Sequence, residues 1–159
     1  ADLSVRENII IALQAKKGMF HPMSRKEMDE AADKYIKMLQ IKTASRETPI
    51  KSLSGGNQQK VIIGRWLLTN PDFLILDEPT RGVDVGAKSD IYHLITKIAE
   101  QGVAVIFISS ELPEVMNMST RIGVMCEGEL VKFMDPRKEE VTQEKIMHYA
   151  IGGNKDGIK

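Results

Sequence analysis

LSGGNQQKVIIGRWLLTNPDFLILDEPTRGVD, residues 53–84, runs from a polar turn through a helix into a short apolar strand. The turn is Leu53-Ser54-Gly55-Gly56. A helical run follows from about Asn57 to Thr69. Asn70-Pro71 stops it, because proline has no N–H to donate and clashes with the preceding turn. Phe73-Leu74-Ile75-Leu76 then reads as a buried strand that ends abruptly in two acids, Asp77 and Glu78. Ser54 is placed to cap the helix. Gly55 and Gly56 leave its first backbone N–H groups uncovered by side chains, which suits a phosphate. Asp77 and Glu78 fall at the carboxyl end of the strand, where open α/β sheets place their ligands.

Downstream, residues 88–100 carry Ile91, Leu94, Ile95 and Ile98 on one helical face, and Gln101-Gly102 ends that helix. Residues 103–108 are β-branched and aromatic and predict a second buried strand. Strand, helix, strand in this order makes a βαβ unit with parallel strands and a right-handed crossover. Residues 109–118 hold a short helix that tolerates Pro113 only in its first turn. Residues 121–126 and 129–134 predict a hairpin turning at Glu127-Gly128. Residues 142 to about 151 predict a last helix, and Gly152 to Gly157 a disordered tail.

Upstream, residues 3–16 predict an amphipathic helix with Ser4 and Glu7 as a capping box and Ile10 and Leu13 on its apolar face. Residues 18–22 are a loop. Residues 24 to about 41 predict a second helix, capped by Ser24 with Glu27, whose core face is Met28, Ala31, Tyr35, Met38 and Leu39. Residues 42–52 read as a short helix or turn followed by loop. Trp66 and the methionines read as core.

Composition narrows the function. Lys plus Arg is 22 and Asp plus Glu is 22, so no global field draws in nucleic acid or an anionic membrane. The one cysteine, Cys126, excludes an internal disulfide, fits a reducing compartment and reads as buried and inert. No apolar run approaches the ~18 residues of a membrane span, and no signal peptide is evident. His21, His93 and His148 share no ligand spacing.

The stretch quoted first resembles the ATP-binding subunits of ABC transporters. Leu53-Ser54-Gly55-Gly56-Asn57-Gln58-Gln59 looks like their signature motif. Phe73 to Thr80 looks like their Walker B strand and the residues after it, and Gly82-Val83-Asp84 like their D-loop. LSGGNQQK followed by DEPTRGVDVGAK is similar to the sugar-importer branch, the ribose, galactose and xylose type. Ser4-Val5-Arg6-Glu7-Asn8-Ile9 resembles the start of the family's helical subdomain. The likeness covers residues 3–153. It implies an α/β fold, a partial P-loop NTPase core with a parallel sheet plus a helical subdomain. Residues 1–153 would then be the C-terminal part of one nucleotide-binding domain. Of these, 3–69 are the helical subdomain with the signature and 70–153 the Walker B, D-loop and C-terminal core; residues 154–159 are a flexible tail.

The resemblance also implies roles. Asp77 holds Mg²⁺, and Glu78 orients or deprotonates the water that attacks the γ-phosphate of ATP. Ser54, Gly55 and Gly56 contact a γ-phosphate held by the other half of a head-to-tail dimer, and Gln58 lies near that surface. Asp84 bridges the two halves. Ser110, in Phe107-Ile108-Ser109-Ser110-Glu111, takes the position of the family's switch histidine; the Ser-Ser-Glu form resembles the second of the two nucleotide-binding halves of sugar-importer ATPases. Serine cannot replace an imidazole, which implies altered hydrolysis at the site built around Glu78. The implied partners are transmembrane permease subunits, the other nucleotide-binding half and, indirectly, a periplasmic or lipoprotein sugar-binding protein, with no nucleic acid. The implied place is the cytoplasmic face of the membrane.

No P-loop, Gly-x-x-x-x-Gly-Lys-Ser/Thr, occurs in the 159 residues, and no Q-loop glutamine precedes Ser4. The chain begins with Ala1 and is expected to be a piece of a longer, ATP-hydrolysing one, and the piece alone is expected not to hydrolyse ATP. The family's P-loop strand lies between those equivalent to 103–108 and 121–126. Without it, these strands are expected to close the gap locally or to drive self-association. Two rival readings stand: a non-hydrolysing regulatory or structural ABC-type module, and a non-transport ABC protein of translation or DNA repair. The neutral charge and the NQQK wording speak against the last.

Overall fold

The computed structural model describes residues 3–18 and 21–153. Residues 154–159, expected to be a flexible tail, lie outside them. The chain divides into two compact units, residues 1–106 and 107–159.

The first unit begins with α1 (Val5–Lys17) and α2 (Arg25–Met38). A 3₁₀ turn (Ile50–Ser52) and α3 (Gly55–Leu67) follow, then β1 (Phe73–Asp77) and α4 (Val85–Glu100). β2 (Ala104–Ile108) pairs with β1 in a small parallel sheet, and the division between the units falls within it. α1 packs on both α2 and α3, and α3 on α4. Val5, Ile9, Leu39, Ile41 and Val61 form one buried cluster. Each such side chain contributes roughly 1.5–3 kcal/mol relative to exposure. The core face of α1 is centred on Val5, Ile9 and Ile10, while Leu13 is half-buried. On α2, Ala32 is fully buried and the expected core residue Met38 is exposed. α2 ends at Met38, and the following Leu39 is buried, with Tyr35 and Ile36 packed against the same cluster.

Charge holds α1 to the segment before the signature. The Arg6 guanidinium is buried and donates to Asp29 on α2 at 2.9 Å and to Glu47. Arg46 pairs with Asp29 and Asp33. An arginine fork suits this bridging, because it reaches several carboxylates without shedding its charge.

The expected burial of the sheet is not what forms. β1 alternates, with Leu74 and Leu76 buried but Phe73 60 % and Ile75 54 % exposed. β2 has no fully buried residue, and Ile106 is 52 % exposed. Among the described residues only one face of this sheet is covered. Trp66, expected in the core, is half exposed on α3.

The second unit holds α5 (Leu112–Met118), the antiparallel hairpin β3 (Ile122–Cys126) and β4 (Glu129–Met134), and α6 (Gln143–Ala150). Pro113 sits in the first turn of α5, where its missing N–H costs nothing. The hairpin turns at Glu127 (φ 50°) and Gly128 (φ 83°), the left-handed pair that matches strand twist. Ile122, Val124, Cys126, Val131, Met134 and Ile146 form its core. Thr142 caps α6 through the N–H of Lys145. Gly152 and Gly153 are held to this helix by bonds to the carbonyls of Tyr149 and His148. Among the described residues β1 pairs with β2, and β3 with β4.

Both early helices carry the full capping box. The Ser4 N–H donates to Glu7 Oε2 at 2.7 Å, and Ser24 N–H to Glu27 Oε2 at 2.7 Å. Hydrogen bonds from the backbone and hydroxyl of Ser4, and from the hydroxyl and backbone of Ser24, hold both carboxyls below the ordinary range. A carboxylate whose folded pKa is depressed stabilises above its unfolded pKa and loses that contribution as the pH falls. Helix protection at the first turns of α1 and α2 is therefore expected to fade as the pH drops below about 4.3. Hydrogen exchange across a pH series checks it. Glu7→Gln with Glu27→Gln keeps the acceptors but removes the titration, and should flatten that dependence.

Candidate functional site

The site lies in the first unit, where the N-terminal turn of α3 meets the loop 78–84 between β1 and α4. β1 delivers Asp77 to its carboxyl end, exposed. Glu78 follows at φ 46°, a left-handed conformation that costs a non-glycine residue and marks a tightly determined turn. Pro79 and Thr80 behind it are fully buried. The Arg81 N–H donates to the Glu78 carbonyl at 3.1 Å, and the Val83 N–H to the Thr80 carbonyl at 3.1 Å. Gly82, at φ 72°, completes the reversal. Asp84 then caps α4, its Oδ1 accepting from the Ala87 N–H at 2.9 Å.

Ser54 takes the N-cap position of α3, but its hydroxyl does not bond to the helix backbone. Asn57 Nδ2 donates to Ser54 Oγ at 2.8 Å instead. The expected side-chain cap is thus replaced by a side-chain pair, and no side chain caps the helix start. Gly55 is exposed as expected, whereas Gly56 is buried. A Cβ on Gly56 would stand 2.6 Å from Ala87 Cβ. Glycine there is required by the close approach of α3 to α4, not only by access to the helix amides. Gln58 does not reach outward: its Nε2 donates to the Leu53 carbonyl at 2.8 Å. Ser110 is exposed in the second unit, after β2.

The structure thus brings Ser54, Gly55 and Gly56 against the loop of Gly82, Val83 and Asp84. A polar cavity of about 340 Å³ opens beside them, lined by Ser54, Asn57, Lys60, Asp84 and Asp90 among others. Two of these, Lys60 and Asp90, had drawn no notice in the sequence. Lys60 is buried, and its Nζ donates to Asp90 Oδ2 at 2.9 Å. That hydrogen bond, with the charge behind it, holds the Asp90 carboxyl below its ordinary range. A second, largely apolar groove of about 630 Å³ runs along α1, lined by Leu3, Ile10, Ile11 and Met28, with Arg6 and Glu7 among its polar residues.

The donor set suits a magnesium nucleotide. Among the described residues no three acids, histidines or cysteines cluster as a protein cage for a metal. Mg²⁺ needs none, since it is bound by one or two carboxylates together with phosphate oxygens. A helix N-terminus without a side-chain cap supplies amides to an anion.

The α/β fold, helices on a small parallel sheet, is that of the solved ATP-binding cassettes it superposes on. One such cassette, solved as a dimer with ADP and phosphate, superposes with a TM-score of 0.70 at 28% identity over 84% of this chain and 56% of its own. A nucleotide-free ABC transporter cassette gives 0.73 at 24% identity over 92% and 58%. The ABC transporter family model matches residues 1–81, and the chain belongs to that family. The fructose import ATP-binding protein of Bifidobacterium longum is 57% identical over 124 residues, covering 78% of this chain and 24% of that protein. The ribose import ATP-binding protein of Shouchella clausii is 49% identical over 154 residues, 97% of this chain and 30% of that protein. The galactofuranose transporter ATP-binding protein of Escherichia coli O157:H7 is 56% identical over 125 residues, covering 79% and 25%. The chain spans about a quarter to a third of the length of these relatives.

Proposed function

We propose that this chain belongs to the ATP-hydrolysing, energy-coupling subunit of a sugar importer, within its second nucleotide-binding half. The observation that carries the reading is the turn Ser54-Gly55-Gly56, without a side-chain cap, packed on the loop that follows Asp77 and Glu78. The sugar-import names of its relatives support it.

In this reading the amides of Gly55 and Gly56 and the Ser54 hydroxyl bind phosphate oxygens of ATP held by the opposing half. Asp77 holds Mg²⁺, which supplies charge neutralisation at the phosphates when bound. Glu78 orients the attacking water and accepts its proton. Asp84 fixes the start of α4 and stands beside the face offered to the other half. Gln58 braces the turn through Leu53. Ser110 occupies the switch position and tunes hydrolysis. The α1 groove, apolar with Arg6 and Glu7 among its lining, receives a segment of the permease subunits. The permease supplies the attachment at the cytoplasmic face; no described helix is long and apolar enough to cross a membrane. A sugar-binding protein feeds the assembly from the other side.

The full-length polypeptide is expected to hydrolyse ATP with Mg²⁺ and to stop when Mg²⁺ is chelated. With its permease in vesicles it should be stimulated by a sugar-loaded binding protein. Nucleotide binding without hydrolysis in both settings would overturn the ATPase reading in favour of the regulatory module, which Ser110 favours.

A further inference from the structure

We propose that Lys60 is a positioning residue, locking the signature turn to the loop 78–84 through Asp90. The role in hydrolysis rests on the ATPase reading above.

Two contacts stack along one seam between α3 and α4. The first is the approach of Gly56 to Ala87, with a Cβ-to-Cβ distance of 2.6 Å if residue 56 carried one. The second lies one turn further along both helices, the Lys60–Asp90 ion pair at 2.9 Å. Gly56 and Lys60 are four apart, and Ala87 and Asp90 three apart, so each pair shares a helix face. The glycine contact sets how near the helices come. It is apolar and small, and it does not resist their sliding or turning. A charge-assisted hydrogen bond is directional and resists both.

The burial is asymmetric. The Lys60 side chain is 7 % exposed and that of Asp90 55 %. Burying an ammonium is costly, and a methionine would fill the same seam more cheaply. The structure keeps the charge where it faces the cavity shared with Ser54 and Asp84. What the pair secures is the placement of the glycine turn, on one wall, relative to the cap of α4 on the other. A displacement of about 1 Å in such a constellation costs up to roughly a hundredfold in rate.

The test uses the full-length polypeptide. Lys60→Met keeps the stem's volume and leaves Asp90 hydrated, so the fold survives. It is expected to lower kcat about tenfold, with KM for ATP within about twofold and Tm within a few degrees. Lys60→Arg restores most of the rate, because the guanidinium can donate to Asp90 again, and Asp90→Ala, which removes the acceptor, reproduces the loss. Hydrogen exchange at the Ala87 amide is expected to quicken about tenfold in Lys60→Met and to return in Lys60→Arg. Unchanged exchange, an unchanged kcat in an active enzyme, or a loss that Arg does not restore overturns the proposal. A wild-type polypeptide without ATPase activity overturns the functional reading instead, and the exchange measurement then still decides whether Lys60 positions the turn.

Discussion

Glu78→Gln in the full-length polypeptide is expected to lower kcat for ATP hydrolysis about 10²–10³-fold while nucleotide binding persists. Glutamine keeps the size and an acceptor but cannot take a proton. In the proposed mechanism the backbone favours this residue over its neighbour as the base. Asp77 is the last residue of β1 and is exposed, which in that mechanism suits a hydrated cation. Glu78 is the first residue of the turn, half-buried, held at φ 46° ahead of the buried Pro79 and Thr80. A left-handed glutamate followed by two anchored residues is held in place, and as the proposed base it would be preorganised for the attacking water. Single-turnover hydrolysis and nucleotide binding, measured side by side, check the result. A glutamine variant that hydrolyses at the wild-type rate would remove Glu78 as the base and leave it a turn residue.

The strand end and the loop 78–84 were legible in the sequence as local structure because their residue types answer local demands. Asp77 and Glu78 terminate an apolar run, Gly82 has the positive φ that the reversal requires, and Ser4 with Glu7 and Ser24 with Glu27 announce helix starts. These signals are decided within a few residues. Burial is not. Phe73-Leu74-Ile75-Leu76 reads as a strand covered on both sides, yet Phe73 and Ile75 stand exposed, because a run of apolar residues cannot say whether a second layer is present. Trp66 and Met38 misled in the same way: size and apolarity predict the core only where a neighbour arrives. Lys60 was hidden for the converse reason. Apolar periodicity passes over a lysine, and its burial depends on α4, thirty residues away in the chain.

Gly56→Ala carries the second large effect, and Gly64 supplies the control. Both glycines lie in α3, and an added methyl would meet a neighbour at nearly the same distance, 2.6 Å at residue 56 and 2.7 Å at residue 64. The neighbours differ. At residue 64 it is the Leu39 Cδ1, the far end of a flexible side chain, which can turn away. Alanine in a helix interior also gains up to ~1 kcal/mol over glycine, so Gly64→Ala is expected to be neutral or slightly stabilising. At residue 56 the neighbour is the Ala87 Cβ, with the Ala87 Cα at 3.9 Å behind it. A methyl on the backbone has no rotamer to change, so α4 itself must retreat. Overpacking of this kind costs roughly 1–3 kcal/mol, little of it recovered by propensity in the first turn of the helix. The retreat also carries the Asp84 cap away from the Ser54 turn, so hydrolysis by the full-length polypeptide should fall further than stability alone explains. Thermal unfolding and kcat of the two variants, compared directly, decide the matter. Equal behaviour of Gly56→Ala and Gly64→Ala would mean that the α3–α4 seam yields freely. Glycine at residue 56 would then have to be explained by the ligand it leaves room for.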